Sequence, residues 1–253
     1  MLTDFSLTGR VAIVTGATKG LGRGIAHGLA EAGAKLVVVS RNQKECDAVA
    51  LELQEKGVSS LAYAADLRNL ASIQALVEAV VKQFGRIDIL INNAGAAVTK
   101  PPEAMTEEEW DFVMDLNLKG AFFTAQQVGS QMIKQQYGKI INIGSIFSFV
   151  GDANIVSYCA SKGGLVQMTR SLALAWARHN ISVNAIAPGY ITTELNKETL
   201  NEGKVFNHLM KNTPARRLGE VKDVVGAAVF LASSASDYMT GQSIVIDGGW
   251  LAH

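Results

Sequence analysis

The chain has 253 residues, 48% of them hydrophobic, and its 23 Lys and Arg balance 23 Asp and Glu. That is enough apolar material for one large domain, and a formal charge of zero offers nothing to draw nucleic acid or an anionic membrane. No apolar run reaches the roughly 18 residues a bilayer crossing needs, the opening residues show no secretory leader, and Cys46 and Cys159 make neither a metal spacing nor a disulfide framework. The expectation is a soluble cytoplasmic protein with no metal, no nucleic-acid partner and no membrane contact.

Short runs rich in Val and Ile alternate with longer stretches of helical period, the pattern of βαβ units around a parallel sheet. The first strand reads Val11 to Thr15, and Gly16, Gly20 and Gly22 of TGATKGLG separate it from a helix near 21–32. Glycines there permit a tight turn and let backbone N–H groups approach a phosphate, so a pyrophosphate is expected at the helix N-terminus. The spacing is G-x-x-x-G-x-G, not the usual G-x-G-x-x-G. The second strand, Lys35 to Ser40, ends in VVVSRN, where a carboxylate would grip the adenosine ribose of NAD. Ser40 and Arg41 stand there instead, with Lys19 within reach from the glycine turn. They suit a 2′-phosphate, which favours NADP(H) over NAD(H).

Further along come a helix near 42–56, a strand from Ser60 to Ala64, a helix near 69–84 and a strand from Ile87 to Asn92. A long helix spans 107–136 and strand Gly138 to Ile143 follows it. In the next helix, 156–179, SYCASK sets Tyr158 and Lys162 four residues apart on one face, although that spacing alone is a weak signal. Strands Ser182 to Ile186 and Ser243 to Ile246 flank a helix near 220–232. Several strands are apolar throughout, as strands covered on both faces must be. With four prolines and no polar linker, residues 1–253 read as a single domain. Pro188 to about Gly219 is long and irregular, so it reads as a lid with short helices that covers a site.

In order and spacing, TGATKGLG, Asp66 of AADL, NNAG at Asn92 to Gly95, Asn117 of LNLKG, Ser145, Tyr158 with Lys162, and APG at Ala187 to Gly189 resemble the short-chain dehydrogenase/reductases. The resemblance runs from about Leu7 to Gly249. It implies a Rossmann-type doubly wound α/β domain, with seven parallel strands in the order 3-2-1-4-5-6-7 and helices on both faces. It also implies a homotetramer, paired through helices 107–136 and 156–179 and through the chain end IDGGWLAH. The cofactor would be held by Gly16, Thr18, Lys19, Gly20, Leu21 and Gly22, by Ser40, Arg41 and Asn42, and by Asp66 with Leu67 at the adenine. Asn93, Ala94 and Gly95 would line the adenosine side, Tyr158 and Lys162 the nicotinamide ribose, and Pro188, Gly189, Ile191 and Thr193 the carboxamide.

Moving hydride to a carbonyl carbon builds charge on oxygen, so the site must deliver a proton as the C–H bond forms. A phenol can give it, and an ammonium nearby lowers a tyrosine pKa that otherwise lies near 10. Lys162 is therefore expected to acidify Tyr158, with Ser145 offering its hydroxyl to the substrate oxygen. Asn117 is disfavoured inside a helix unless it has another task, and the resemblance gives it one, holding a water that feeds protons to the lysine. The catalytic set is Asn117, Ser145, Tyr158 and Lys162.

For the substrate the candidates are Ile146, Phe147, Phe149, Asp152, Asn154, Tyr190, Leu195, Asn196, Phe206 and Leu209. Phe147, Asn154 and Tyr190 are placed with Ser145 and Tyr158 at the reacting group. Their character suits a moderately apolar ketone or secondary alcohol, so the leading reading is an NADPH-dependent carbonyl reductase or secondary alcohol dehydrogenase. Two alternatives within the family are a sugar-acid dehydrogenase like the gluconate 5-dehydrogenases and a 3-oxoacyl-thioester reductase; ARHNISVNAIAPGYITTEL and TPARRLGE resemble both. Gln136 and Leu174 stand where a carrier-protein partner would commonly meet basic residues. A sugar acid would want a cation facing the pocket, and Arg216 and Arg217 are nearest in sequence. A nucleotide binder without catalysis is the remote alternative, and it predicts loss of Ser145, Tyr158 or Lys162, all of which are present.

Overall fold

The computed structural model describes residues 5–194, 196, 200 and 203–252. In chain order the strands are β1 (Val11–Thr15), β2 (Lys35–Ser40), β3 (Ser60–Ala64), β4 (Ile89–Asn92), β5 (Gly138–Ile143), β6 (Ile181–Pro188), β7 (Ile191–Thr192), β8 (Gly219–Glu220) and β9 (Ser243–Ile246). The main sheet has seven strands in the order β3-β2-β1-β4-β5-β6-β9, all parallel. Since β9 is its last strand in sequence, this is the doubly wound order the resemblance implied. Val14 of β1 sits between Val38 of β2 and Ile91 of β4.

The helices are α1 (Gly20–Glu31), α2 (Gln43–Glu55), α3 (Leu70–Phe84), α4 (Glu107–Met114), α5 (Ala121–Gln135), α6 (Val156–Trp176), α7 (Gly203–Asn212) and α8 (Val221–Ala232). Alternate residues of one strand feed two separate cores. Ala12 and Val14 join Ile25 and Leu29 of α1 and Val224 and Leu231 of α8, whereas Val11 and Ile13 join Leu76 of α3, Val128 of α5 and Leu172 of α6. A strand buried on both sides has no polar face to show, which is why these strands read as unbroken apolar runs. Asn42 and Asn69 start α2 and α3 by accepting backbone N–H bonds from the first turns, the ordinary preference at a helix N-cap.

The expected helix over 107–136 is interrupted. Between α4 and α5 the residues Asp115–Gly120 form a π-helical turn, a widening found often at functional sites. Gly120 marks the reason, because a Cβ there would lie 2.6 Å from the Leu67 carbonyl oxygen and 3.0 Å from that of Asp115. The helix passes too close to the chain after β3 to keep a side chain at that point. The Thr124 hydroxyl donates to the Gly120 carbonyl at 2.7 Å.

The irregular stretch after β6 contains α7 and also a two-stranded parallel ladder of β7 and β8. That ladder pairs Ile191 with Gly219 and Thr192 with Glu220, joining the two ends of the excursion. Strands of two residues carry no periodicity, so no sequence pattern could disclose them. β4 begins two residues later than expected because Asp88 is used otherwise: its carboxylate accepts from the Val11 N–H and pairs with Arg10 and Arg86. Among the described residues no helix is long and apolar enough to cross a membrane.

Candidate active site

The C-terminal ends of β1, β4, β5 and β6 open on a cleft of about 390 Å³ whose walls include Leu21, Asn93, Gly95, Ser145, Tyr158, Lys162, Pro188, Gly189, Tyr190, Ile191 and Thr193. Ligands of open α/β sheets bind at this edge, where neighbouring strands send their connections to opposite faces. Ser145 follows β5 in extended conformation and its hydroxyl accepts from the Phe147 N–H at 3.2 Å. Tyr158 lies in the first turn of α6 and Lys162 one turn on. The Lys162 ammonium is buried, donates to the Ile143 carbonyl at 2.6 Å and lies 5.6 Å from the centroid of the Tyr158 ring.

Asn117, in the π turn, clasps the loop after β4. Its Oδ1 accepts from the Ala96 N–H at 2.8 Å, and its Nδ2 donates to the Ala96 carbonyl at 2.8 Å and to Ser161 Oγ at 3.1 Å. Ser161 in turn donates to the Tyr158 carbonyl at 2.8 Å. Gly95 completes the arrangement, since a Cβ there would come within 3.2 Å of Asn117 Oδ1 and 3.6 Å of Lys162 Nζ. The four residues expected to act together are thus brought to one place, and Ser161, which reads in sequence as a small helix residue, joins them.

The electrostatics differ from expectation in one respect. Burial pushes the Tyr158 phenol up, and the neighbouring Ser145 hydroxyl pulls the other way. Lys162 stands 5.6 Å from the centroid of the ring, with its ammonium bonded to the backbone. The lysine is itself altered: complete burial lowers its pKa from 10.5 to about 8, because an ammonium away from water loses hydration that one carbonyl cannot replace.

The turn after β1 fits a dinucleotide. Gly16 and Gly20 have φ of +65° and +51°, and a Cβ on Gly22 would meet the Gly16 carbonyl oxygen at 2.2 Å, so the turn is closed to side chains and leaves its backbone open to a pyrophosphate. Asn93 buttresses it by donating to the Thr15 and Gly16 carbonyls, and the Ala94 N–H donates to Thr15 Oγ1. Beside the turn, Lys19 pairs with Glu45 at 2.9 Å and Thr18 donates to the same carboxylate at 3.2 Å, a partner the sequence reading missed. Ser40 bonds locally with Asn42 and Cys46, while Arg41 is exposed. The Asp66 carboxylate is gripped by Arg68 at 2.7 and 3.1 Å, which holds its pKa down with a smaller pull from Arg41. Leu67 is buried beneath it.

The substrate candidates divide. Phe147 stands edge-on to both Tyr158 and Tyr190, with centroids 6.3 and 6.1 Å away, and Asn196 lines the cleft with them. Ile146 belongs to the buried core, as does Leu209, and Phe149 is exposed. Asp152 and Asn154 are exposed and outside the wall, where the Asn154 carbonyl accepts from the Lys100 N–H at 2.7 Å. Phe206 is half-buried on α7, and Leu195 lies outside the described residues. The arginines considered as a pocket cation are committed elsewhere: Arg216 donates to the Met210 and Lys211 carbonyls at the end of α7, and Arg217 pairs with Asp223. Trp250, unremarked in the sequence, stacks against Tyr190 at 4.9 Å.

The family model described as "Enoyl-(Acyl carrier protein) reductase" matches residues 16–251. The chain belongs to the short-chain dehydrogenase/reductases and is an oxidoreductase of that family. It is 46% identical over its whole length, and over 99% of the relative's, to a 2-dehydro-3-deoxy-D-gluconate 5-dehydrogenase of Dickeya dadantii. A gluconate 5-dehydrogenase of Gluconobacter oxydans is 38% identical, with 97% of this chain and 96% of that one covered. Among solved structures, a gluconate 5-dehydrogenase from Burkholderia cenocepacia in complex with NADP and tartrate superposes with a TM-score of 0.96 at 39% identity, covering 100% of this chain and 99% of that one.

The depressed lysine carries a stability signature. Between about 8 and 10.5 the unfolded chain binds a proton that the native Lys162 does not, so stability climbs with pH across that window and bears the full cost below it. Lys162→Met should unfold in urea at pH 7 with a gain of about 2 kcal/mol and lose the climb. A wild-type stability that stays flat from pH 8 to 10 would contradict this burial cost.

Proposed function

We propose that the chain interconverts a secondary alcohol and a ketone on a sugar acid, using NADP(H) in preference to NAD(H), with Tyr158 as the general acid and base. The observation that carries the reading is the meeting of Ser145, Tyr158 and Lys162 on the wall of one cleft, with Asn117 clasping the loop beside them. Between a sugar acid and the more apolar ketone that Phe147 and Tyr190 suggest, the full-length relatives named for 2-dehydro-3-deoxy-D-gluconate and gluconate favour the sugar acid.

The nicotinamide supplies or accepts the hydride. The chain's own residues do the rest. Gly16, Gly20 and Gly22 would receive the pyrophosphate on backbone N–H groups, with Thr18, Leu21 and the Asn93 to Gly95 turn along the adenosine side. Asp66 and Leu67 would bound the adenine, and Pro188, Gly189, Ile191 and Thr193 the carboxamide. Arg41 and Lys19, with Ser40 and Asn42 beside them, would meet the 2′-phosphate. At the reacting carbon, Ser145 holds the oxygen against the phenol and Tyr158 gives up or takes its proton. Lys162 keeps a proton store nearby that titrates at about 8, and Asn117 holds the loop over it and a water that resupplies it. Residues 188–219 serve as the lid. The chain works in the cytoplasm as a homotetramer, for which the apolar face of Met114, Leu118, Phe122 and Met168 offers a seam between copies.

Absorbance at 340 nm should show NADPH consumed with 5-ketogluconate, or formed from NADP+ with a 2-keto-3-deoxy sugar acid bearing a C5 hydroxyl, in preference to turnover of a cyclic diketone, an aryl ketone or an acetoacetyl thioester; preference for the thioester would sink the sugar-acid assignment. Tyr158→Phe should cut turnover at least about a hundredfold with NADPH affinity, read by fluorescence titration, unchanged. Retained turnover would remove Tyr158 from its role. Arg41→Asp should lower the NADPH-to-NADH ratio of kcat/KM by roughly tenfold or more, and an unmoved ratio makes Arg41 a mere surface charge. Light scattering should return a four-chain mass at micromolar concentration, against which a monomer mass would count decisively.

A further inference from the structure

At the opposite end of the sheet, where β5 and β6 begin, a second cavity of about 360 Å³ is lined by Tyr137, Lys139, Ser182, Asp237 and Thr240 among others. Lys139 and Ser182 are register partners on adjacent strands, so both side chains leave the same face of the sheet. Lys139 is 3% exposed and Ser182 8%. The ammonium pairs with Asp237 at 2.8 Å and reaches Ser236 Oγ at 3.4 Å, which leaves one of its three N–H donors uncommitted. The Ser182 hydroxyl is buried with no hydrogen-bond partner, although such groups almost always have one. Thr240 Oγ1 accepts from the Val183 N–H at 3.1 Å, so its own O–H is also free to donate.

Charge points the same way. Lys139, Arg10 and Arg86 stand against Asp88 and Asp237, three cations to two carboxylates. Arg10 lies 4.0 Å over the Tyr137 ring, which keeps that positive charge at the cavity's edge. Asp88 is fully buried and already bonded to both arginines and a backbone N–H. Asp237 alone can leave, since its side chain is 61% exposed and bulk water can solvate it. The cavity therefore has an excess of donors and of positive charge, with one removable acceptor in place.

We propose that this cavity is a binding site for a small oxyanion, a phosphate or a carboxylate. The ligand takes an N–H of Lys139 and the hydroxyl of Ser182, with Asp237 swinging out to solvent as the resident carboxylate it displaces. The site is independent of the cofactor cleft, because β5 and β6 run their whole length between the two. Asp237 sets its affinity: while the carboxylate stays on Lys139, an incoming anion must compete with it.

The test is calorimetric titration of the whole chain with inorganic phosphate, and separately with lactate, at fixed ionic strength and with NADPH present. Binding should weaken roughly fivefold in Ser182→Ala, which removes one hydrogen bond, and tighten roughly tenfold in Asp237→Asn, which removes the competing charge. Neither substitution touches the cofactor cleft, so ketone reduction should be unchanged in both. A response to both anions means that any small oxyanion serves, and a response to one identifies the source as phosphate or carboxylate. If NADPH fails to fill the cleft, phosphate bound there shows as a second class indifferent to these substitutions. No binding at all, or an affinity that neither substitution moves, would mean that Ser182 faces only water and would overturn the site.

Discussion

A buried ammonium without a carboxylate beside it organises this molecule. Taking a lysine out of water is costly unless other groups replace its hydration, and the structure gives Lys162 one backbone carbonyl, that of Ile143. That carbonyl belongs to the last residue of β5, a central strand, so the charge is held by the sheet itself and not by a mobile side chain. Its position fixes what surrounds it. A side chain at Gly95 would crowd the Asn117 amide, which turns inward to hold the loop after β4. The π turn in the helix gives Asn117 the room to do so. Stability is sacrificed at the point where proton chemistry needs a poised group, a common arrangement at active sites.

The phenol beside it is poised the other way. Burial favours the protonated form of Tyr158 and burial favours the unprotonated form of Lys162, so each neutral state is stabilised by the same dry wall. On the proposed mechanism a proton would then pass between substrate oxygen and phenol without leaving a stranded charge. Ser145 stands on the same wall of the cleft as the phenol. Ser161 and Asn117 sit behind Tyr158 and Lys162 in a continuous set of bonds, which keeps the two functional side chains at a fixed separation.

Most of the architecture was legible because a parallel sheet buried on both faces leaves its mark on every strand. The apolar runs of β1, β2, β5 and β9 gave their limits to the residue, and the glycine turn and Tyr158 with Lys162 stood out because their backbone and spacing demands are local. What stayed hidden depended on distance in sequence. The close approach that keeps Gly120 bare at the π turn is to the Leu67 carbonyl, fifty-odd residues back in the chain, and no short window of sequence contains both. Glu45 reads as an ordinary helix glutamate until the fold sets it against Lys19 and Thr18. The two-residue strands β7 and β8 are too short for any period. Asn154 looked like part of the substrate wall from its nearness to Ser145 and Tyr158 in sequence, but the intervening loop carries it out to the rim with Lys100.

The two ends of the sheet show how one scaffold separates stability from chemistry. At the N-terminal ends of the strands, Asp88 is fully buried between two arginines and a backbone N–H, so that cluster is fixed within the fold. At the C-terminal ends the charges are left open or only loosely paired: Lys162 has no acid, Arg41 is exposed, and Lys19 and Asp66 hold exposed partners that can exchange. An ion pair at the surface is worth little, so releasing Glu45 or Arg68 to admit a ligand costs little. The same kinds of residue therefore lock one edge and leave the other available, and burial decides which, since a charge buried with its partner stays and a charge paired in water can be traded.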